Sequence, residues 1–423
     1  MVDVPIPNQP PTAQHAARED VRYVSNVDKN VAMSAAINFY KKYVDEQVVG
    51  IQNVDSIVDW EGETAIYIVN FKPYGYVMTS ADIRNEPILS YSEKESFIKP
   101  REQSEADLIP DGFSSLVFEA IVINKMIKDN DSEAHIPKEI PISNGIKWVN
   151  LTRADNIIIN SNLDNTISTD PCFGTATTLL DVKEVQYGEY CKTTWGQGTP
   201  YNFYAPNHYP TGCVAVATAQ IMKFHSYPNT FNWSIMPNSC VSNYSNMTSG
   251  DYEVAKLLRN IGINVNMKYA AGGSGAYSAD AKNALVTTYG YSKQADYADF
   301  DYNKIYTELI NEKHPIYVDG CGTKINSFWT NFFNIEDYTD CHAYIIDGYR
   351  YVEEEHFSKC RNTNFTITKY YLHYNYGWDG RYDNWFSRCI WDVSDSLIDI
   401  DRNTQDKFPN YKYKKRCIYH ITP

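Results

Sequence analysis

Gly212-Cys213 stands directly before Val214-Ala-Val-Ala-Thr-Ala-Gln-Ile-Met-Lys-Phe-His225, a run of good helix formers, and Pro228 follows the run. A cysteine at a helix N-terminus feels the positive end of the macrodipole. That favours the thiolate, the nucleophilic form. Gly212 leaves space there for a substrate backbone. A buried structural thiol or half of a disulfide would fit the same position. A thiolate nucleophile needs a histidine to hold the ion pair and later protonate a leaving amine. Of the nine histidines, His342 precedes Ala343-Tyr-Ile-Ile-Asp-Gly348, read as a strand ending in a turn. A strand start is a rigid mount for a general acid. His225 lies 225 − 213 = 12 residues on, about 18 Å along the same helix, which makes it the wrong partner. His208, in a proline-rich loop, is the second choice.

Two further segments could complete a site. Trp195-Gly-Gln-Gly-Thr-Pro-Tyr-Asn202 places Gln197 in a glycine-flanked loop. Its amide could join the Cys213 N–H as an oxyanion hole. Tyr371-Leu-His-Tyr-Asn-Tyr-Gly-Trp-Asp-Gly380 reads as a strand running into an aromatic, glycine-rich turn. There Asn375 could orient an imidazole and Trp378 could shield that bond from water. A solvent-facing Gln and plain aromatic packing are the alternatives.

The chain order Gln, Cys, His, Asn is that of papain-like cysteine peptidases, and 342 − 213 = 129 residues separate the pair. The segment Gly212–Pro228 closely resembles the nucleophile segment of the streptopain family of bacterial cysteine peptidases. So do Trp195–Asn202, Met267-Lys-Tyr-Ala-Ala-Gly-Gly-Ser-Gly-Ala276, His342–Gly348 and Asn375-Tyr-Gly-Trp-Asp-Gly380. Gly75-Tyr-Val-Met-Thr-Ser-Ala-Asp82 and Pro87-Ile-Leu-Ser-Tyr-Ser92 resemble that family's inhibitory propeptide. The resemblance implies a secreted zymogen. Its N-terminal domain would cover the cleft and displace the histidine until a cut in a linker frees a papain-like endopeptidase. It implies Cys213 as nucleophile, His342 as general acid/base and Gln197 at the oxyanion position. Ser274 and Gly275 fall on a cleft-lining loop, and Asn375, Tyr376 and Trp378 behind the dyad. It implies protein or peptide substrates, the chain's own propeptide as intramolecular inhibitor, and no metal, nucleotide or organic cofactor. Cys341 stands where the family usually has Gly before the histidine, so it too would border the cleft, and Tyr376 replaces the usual Trp. Tyr351–Cys360, acidic at Glu353-Glu-Glu355, is an insertion. The alternatives are a surface binding protein on the same fold with impaired catalysis, and an acyl transferase using the same pair.

These groups need elements to hold them. In Lys29–Val44, residues Ala32, Ala36, Phe39, Tyr40 and Tyr43 fall at helical spacing. Strand-like runs follow at Ala65–Phe71, Tyr74–Thr79 and Glu86–Tyr91, with a turn at Lys72-Pro-Tyr-Gly75, then a helix over Ala106–Lys128. Further on, helices are predicted after Cys213 and over Tyr252–Ile261 and Ala279–Thr288. Strands are predicted near Pro315–Val318, Ala343–Tyr349, Phe365–Tyr374 and Cys417–Ile421. The class is α+β, helices first and antiparallel strands later. The division reads as a flexible leader (1–17), a propeptide domain (18–128), a linker with the maturation site (129–171) and a papain-like catalytic domain (172–423). The leader is no signal peptide as it stands; an export signal replaced by Met1 would account for it.

Composition narrows the partners. The 423 residues carry a net charge of −14, which argues against nucleic acid or an anionic membrane as the main partner. No apolar run is long enough for a transmembrane helix. All nine cysteines lie from Cys172 onward and none forms a CxxC pair, so a zinc ribbon is a poor reading. The odd count suits one free thiol plus up to four bridges, or scattered buried thiols. Bridges would place the protein outside a reducing cytosol, secreted, periplasmic or at the cell surface.

Overall fold

The computed structural model describes residues 26–59, 61–100, 109–128, 139–152, 177–321, 342–387 and 414–423. The first helix, α1 (Lys29–Tyr43), is opened by Asp28, whose carboxylate accepts from the Asn30 and Val31 N–H groups at 2.7 and 3.0 Å. This satisfies donors that the helix itself leaves open. The apolar stripe read from the sequence is its buried face. Four antiparallel strands follow: β1 (Gly50–Val58), β2 (Thr64–Lys72), β3 (Tyr76–Ser80) and β4 (Ile88–Ser92). The turn between β2 and β3 holds Gly75 at φ 102°, and a Cβ there would come within 2.1 Å of the Tyr40 hydroxyl. Only glycine fits. Next come α2 (Asp111–Lys128) and α3 (Glu139–Thr152).

The helix α3 corrects the linker reading of 129–171. Pro141 sits in its first turn, where a missing N–H costs nothing. Trp148 is fully buried and donates its indole N–H to the Asn85 carbonyl at 3.0 Å. Asn38 on α1 donates to the Leu151 carbonyl at 2.7 Å. Burial of Trp148 and Leu151 outweighs the poor helix propensity of Asn144 and Gly145.

The second half runs β5 (Thr177–Gly188), α4 (Cys213–His225), α5 (Ser249–Asn264), α6 (Ser278–Thr287), β6 (Asp296–Asp299) and α7 (Tyr302–Tyr306). Then come β7 (Ile316–Cys321), β8 (His342–Ser358), β9 (Thr363–Asn375), β10 (Asn384–Ser387) and β11 (Lys414–Tyr419). All eleven strands join one antiparallel sheet, ordered β1-β2-β3-β4-β10-β9-β8-β7-β11-β6, with β5 added beside β8. The two halves therefore share a sheet. Its seam is β4 against β10, with Tyr91 opposite Trp385 and Ser90 opposite Phe386. The class is α+β and papain-like. Among the described residues no helix is long and apolar enough to cross a membrane.

Strand alternation distributes the core. Ile316, Val318, Tyr344 and Ile346 join one cluster, packed against Phe113, Leu116 and Val117 of α2. Tyr317, Ala343 and Ile345 point the other way, into a cluster with Cys213, Val214 and Val216 of α4. The strand β8 does not turn at Gly348 as expected. It slips register between Ile346 and Gly348 and continues to Ser358. The slip reverses the alternation, so that Val352 joins the cluster beneath α1. The insertion after Tyr351 is thus the far end of the β8–β9 hairpin.

The cysteine expectation also changes. Cys191, Cys240 and Cys417 are buried free thiols, and Cys213 is likewise outside any disulfide. Nine minus four leaves five cysteines, so at most two bridges form. Cys360 is disulfide-bonded.

Candidate active site

Cys213 is the first residue of α4 and 9% exposed. Its helix starts without a side-chain cap, so the first-turn N–H groups keep their positive potential near the sulfur. Gly212 has φ 87°, and a Cβ would come 2.6 Å from Met267 Sδ and 2.8 Å from the Ser274 carbonyl. The Gly212-Cys213 turn is therefore closed against the loop that carries Ser274 and Gly275. That loop is pinned by two backbone bonds, Lys268 N–H to Gly275 O at 2.9 Å and Gly275 N–H to Lys268 O at 3.1 Å. A Cβ on Gly275 would meet open space, room for another chain to approach. On the other side, Thr211 N–H donates to the Gln197 carbonyl at 3.0 Å. Half-buried Gln197 is thereby held beside the Gly212-Cys213 turn. Fully buried Trp195 anchors the same loop, its indole N–H donating to the Pro237 carbonyl at 2.9 Å.

His342 opens β8 opposite Gly320 of β7 and is 5% exposed. Its ring stacks on Tyr344 at 6.1 Å and meets Trp378 edge-on at 5.9 Å. The Nε2 atom is buried with no hydrogen-bond partner among the described residues. The N-terminal turn of α2 lies against this ring: a Cβ on Gly112 would stand 3.1 Å from His342 Cδ2 and 3.0 Å from Tyr344 Cδ1. Phe113, next along, packs edge-on against Tyr376 at 6.0 Å. A leucine at position 112 would overfill this seat, at a cost of ~1–3 kcal/mol. Gly112→Leu is therefore expected to speed shedding of the N-terminal half on the order of tenfold, followed by intact mass over time.

Asn375 does not touch the imidazole through any described hydrogen bond. Its Nδ2 donates to the Thr193 carbonyl at 2.8 Å, and its Oδ1 accepts from Gln220 Nε2 at 3.1 Å and Gly377 N–H at 3.0 Å. Thr193 in turn donates to Gln220 Oε1 at 2.9 Å. Asn375 and Gln220 thus tie α4 to the strand that precedes Trp378. The reading missed Gln220, a polar residue on a helix face that is otherwise apolar. It also missed Asp347 and His373, buried and 2.6 Å apart between Oδ1 and Nδ1. Burial alone would lower the His373 pKa, but Asp347 more than offsets this. Cys341 lies outside the described residues. His208 is exposed and its ring lies tilted against Tyr244 at 4.6 Å.

The loop between Tyr376 and Asp383, which carries Trp378, is held at its far end by carboxyls from both halves. Tyr376 N–H donates to Asp383 Oδ1 at 3.1 Å, and Tyr382 N–H donates to Glu95 Oε1. Burial raises the Glu95 pKa to about 7, against the Tyr382 N–H and Arg381. Because the docked half holds Glu95 protonated more readily than the free one, docking through this contact is strongest in acid. It weakens as pH climbs from the ordinary carboxylate range through about 7. The affinity of a nicked N-terminal half for the catalytic half, measured from pH 4 to 8, is expected to be less pH-dependent in Glu95→Gln. An unchanged slope would show that Glu95 is not the titrating group.

A buried cysteine at a helix start beside a glycine-lined loop, with a histidine packed under a helix from the N-terminal half, is an arrangement that a cysteine peptidase precursor would need. Comparisons with known proteins agree. Residues 195–386 match the Peptidase C10 family and residues 8–110 the Spi protease inhibitor. Streptopain of Streptococcus pyogenes is 24% identical over 414 residues, spanning 84% of this chain and 83% of its own. The thiol protease/hemagglutinin PrtT of Porphyromonas gingivalis is 24% identical over 222 residues, 44% of this chain and 22% of its own. The structure of a prointerpain A fragment from Prevotella intermedia superposes with a TM-score of 0.51 at 18% identity. It covers 88% of this chain and 99% of that one. These likenesses support a streptopain-like cysteine peptidase preceded by a propeptide inhibitor domain.

Proposed function

We propose that the chain is a secreted zymogen whose catalytic half cleaves peptide bonds through a Cys213–His342 dyad. The Cys213 thiolate attacks the scissile carbonyl carbon. The oxyanion is met by the Cys213 N–H and the Gln197 amide. His342 gives its proton to the departing amine, leaving a thioester on Cys213. Water, deprotonated by His342, then releases the acid and the free thiol. In the precursor, α2 against His342 keeps the imidazole from this work. A cut between Thr152 and Thr177, outside the described residues, would let the N-terminal half leave while β5 stays paired with β8. The bonded Cys360 supports export to an oxidising compartment.

The observation that carries this reading is the position of Gly112 against His342, a contact with no value to a protein that needs no restraint. The test is intact mass over time, at mildly acidic to neutral pH with gentle reductant, for the wild type beside Cys213→Ala. Shedding of the N-terminal half by the wild type alone supports the dyad. Should neither be cut, the region between Thr152 and Thr177 is nicked with trypsin and protein hydrolysis measured again. Silence after a clean nick would favour a binding protein on this fold.

A further inference from the structure

Gln220 on α4 has no role in the scheme above and is not explained by packing. It is fully buried, in a helix whose buried residues from Val214 to Met222 are otherwise apolar apart from Thr218. Thr218 keeps its hydroxyl on its own helix, donating to the Val214 carbonyl at 2.7 Å. Gln220 reaches out of the helix instead. Its Oε1 accepts from the Thr193 hydroxyl at 2.9 Å, and its Nε2 donates to Asn375 Oδ1 at 3.1 Å. Asn375 closes the ring, its Nδ2 donating to the Thr193 carbonyl at 2.8 Å. Thr193 and Asn375 are each 2% exposed. A buried amide is costly unless its groups are paired, and a leucine would fill the space without that demand. What the amide adds is direction, in a ring where each residue both donates and accepts.

The ring joins three segments of the candidate site. Gln220 lies 220 − 213 = 7 residues after Cys213, about two helical turns on and on the same face. Thr193 stands four residues before Gln197. Asn375 ends β9, and its Oδ1 also accepts from the Gly377 N–H at 3.0 Å. Gly377 has φ 65°, and a Cβ there would come 2.8 Å from Val216 Cγ1, so this turn is closed against α4. The next residue, Trp378, meets the His342 ring edge-on. Thr193, Gln220 and Asn375 bond to one another within the catalytic half, so departure of the N-terminal half breaks none of these bonds.

We infer that Gln220 is a positioning residue, whose amide sets the distance between Cys213 and His342 by holding α4, the segment before Gln197 and the Trp378 turn in one frame. The inference rests on the peptidase reading and adds to it a residue that touches neither substrate nor dyad. A dyad displaced by about 1 Å loses on the order of a hundredfold in rate. An apolar side chain at position 220 keeps the core filled but leaves the turn free to shift against the helix.

The test compares wild type, Gln220→Leu and the double variant Thr193→Val/Gln220→Leu, each cut with trypsin between Thr152 and Thr177. Peptide hydrolysis, the pH profile of Cys213 alkylation by iodoacetamide, and urea unfolding are measured for all three. In Gln220→Leu, kcat is expected to fall roughly ten- to hundredfold with KM nearly unchanged. The midpoint of alkylation should rise toward that of an ordinary thiol, about 8.5, as the ion pair with His342 loosens. The double variant leaves no hydroxyl unmet at position 193, so it should regain stability. Its kcat and alkylation profile should remain those of Gln220→Leu, and where the single variant fails to fold the double variant carries the comparison. Activity that returns with stability in the double variant would overturn the inference. So would an unchanged kcat and profile in both variants beside a wild type that cleaves. The peptidase reading survives either of these results. A wild type that cleaves no peptide sinks that reading and the inference with it.

Discussion

Cys213→Ala is expected to remove peptide hydrolysis and self-maturation altogether, a loss of about a millionfold if it follows other covalent proteases stripped of their nucleophile. The other three cysteines found free among the described residues cannot substitute. Cys191, Cys240 and Cys417 are buried, and burial pushes each of their pKa values up, which suppresses the thiolate. Each is also fixed in a structural setting. The Cys191 N–H donates to Asp347 Oδ2 at 3.0 Å, the Cys240 N–H to the Tyr201 hydroxyl at 3.1 Å, and Cys417 sits in β11 opposite Val318. Cys213 alone among these four starts a helix, next to a glycine and an open loop. Iodoacetamide at neutral pH, applied to the nicked protein and mapped by peptide mass, should therefore mark Cys213 in the wild type. The alanine variant should lose that adduct and its activity together. Hydrolysis surviving in Cys213→Ala would move the nucleophile elsewhere.

The elements that carry this candidate site are legible in the sequence because their patterns are local. A helix start is marked by Gly212 and the alanine-rich run after Cys213, and strand alternation around His342 follows from Ala343-Tyr-Ile-Ile. The helix pattern of α1, with Ala32, Ala36, Phe39, Tyr40 and Tyr43, survives for the same reason: 3.6-residue periodicity needs no distant partner. What the sequence hides is long-range. The strand β5 is mostly exposed along Thr177–Gly188, so it shows no apolar alternation to find. Helix α3 is held by Trp148 and Leu151 reaching α1 and the Asn85 carbonyl, against local propensity. Asn375 looked like an imidazole partner by its place in the motif, yet its three hydrogen bonds go to Thr193, Gln220 and Gly377.

The seam between the halves was equally invisible, and it explains the acidic insertion. In the sequence Glu353-Glu-Glu355 stands out only as the acidic part of an insertion. In the fold, Glu354 is 2% exposed and faces α1. The register slip at Asp347 puts Arg350, Val352 and Glu354 on that side. Arg350 donates to the Tyr91 hydroxyl and the Tyr43 carbonyl, two groups of the N-terminal half. Lys415 on β11 pairs with Glu119 of α2 at 2.7 Å on the opposite face. The hairpin is thus a handle by which the N-terminal half is gripped, through Arg350 to Tyr91 and Tyr43 and through Glu354 to Lys42 and Tyr43.

Glu354→Ala is accordingly expected to destabilise the precursor by about 3–5 kcal/mol, the usual result of breaking a buried ion pair from one side. The carboxylate holds Lys42 at 2.6 Å, Lys369 at 2.9 Å, His356 at 3.4 Å and the Tyr43 hydroxyl. Burial alone would raise its pKa, but His356, Lys369, Lys42 and Tyr43 hold it well below the usual carboxylate range. The side chain of Lys369 is only 2% exposed, so losing Glu354 strands an ammonium inside the protein. The contrast is Lys42→Ala. The Lys42 side chain is 39% exposed, and Glu354 keeps its other partners, so the cost should be ~0–1 kcal/mol. Glu354→Leu combined with Lys369→Met removes both charges and should recover most of the loss. Urea unfolding of the four proteins at pH 7 measures this. The pH dependence gives an independent sign. A depressed carboxylate contributes stability above its ordinary range and loses it as pH falls below that range. Wild type and Glu354→Ala should therefore converge in stability toward acid. Equal stabilities at pH 7 would mean that Lys369 finds another partner and that the hairpin grips the N-terminal half through its tyrosines and Arg350 alone.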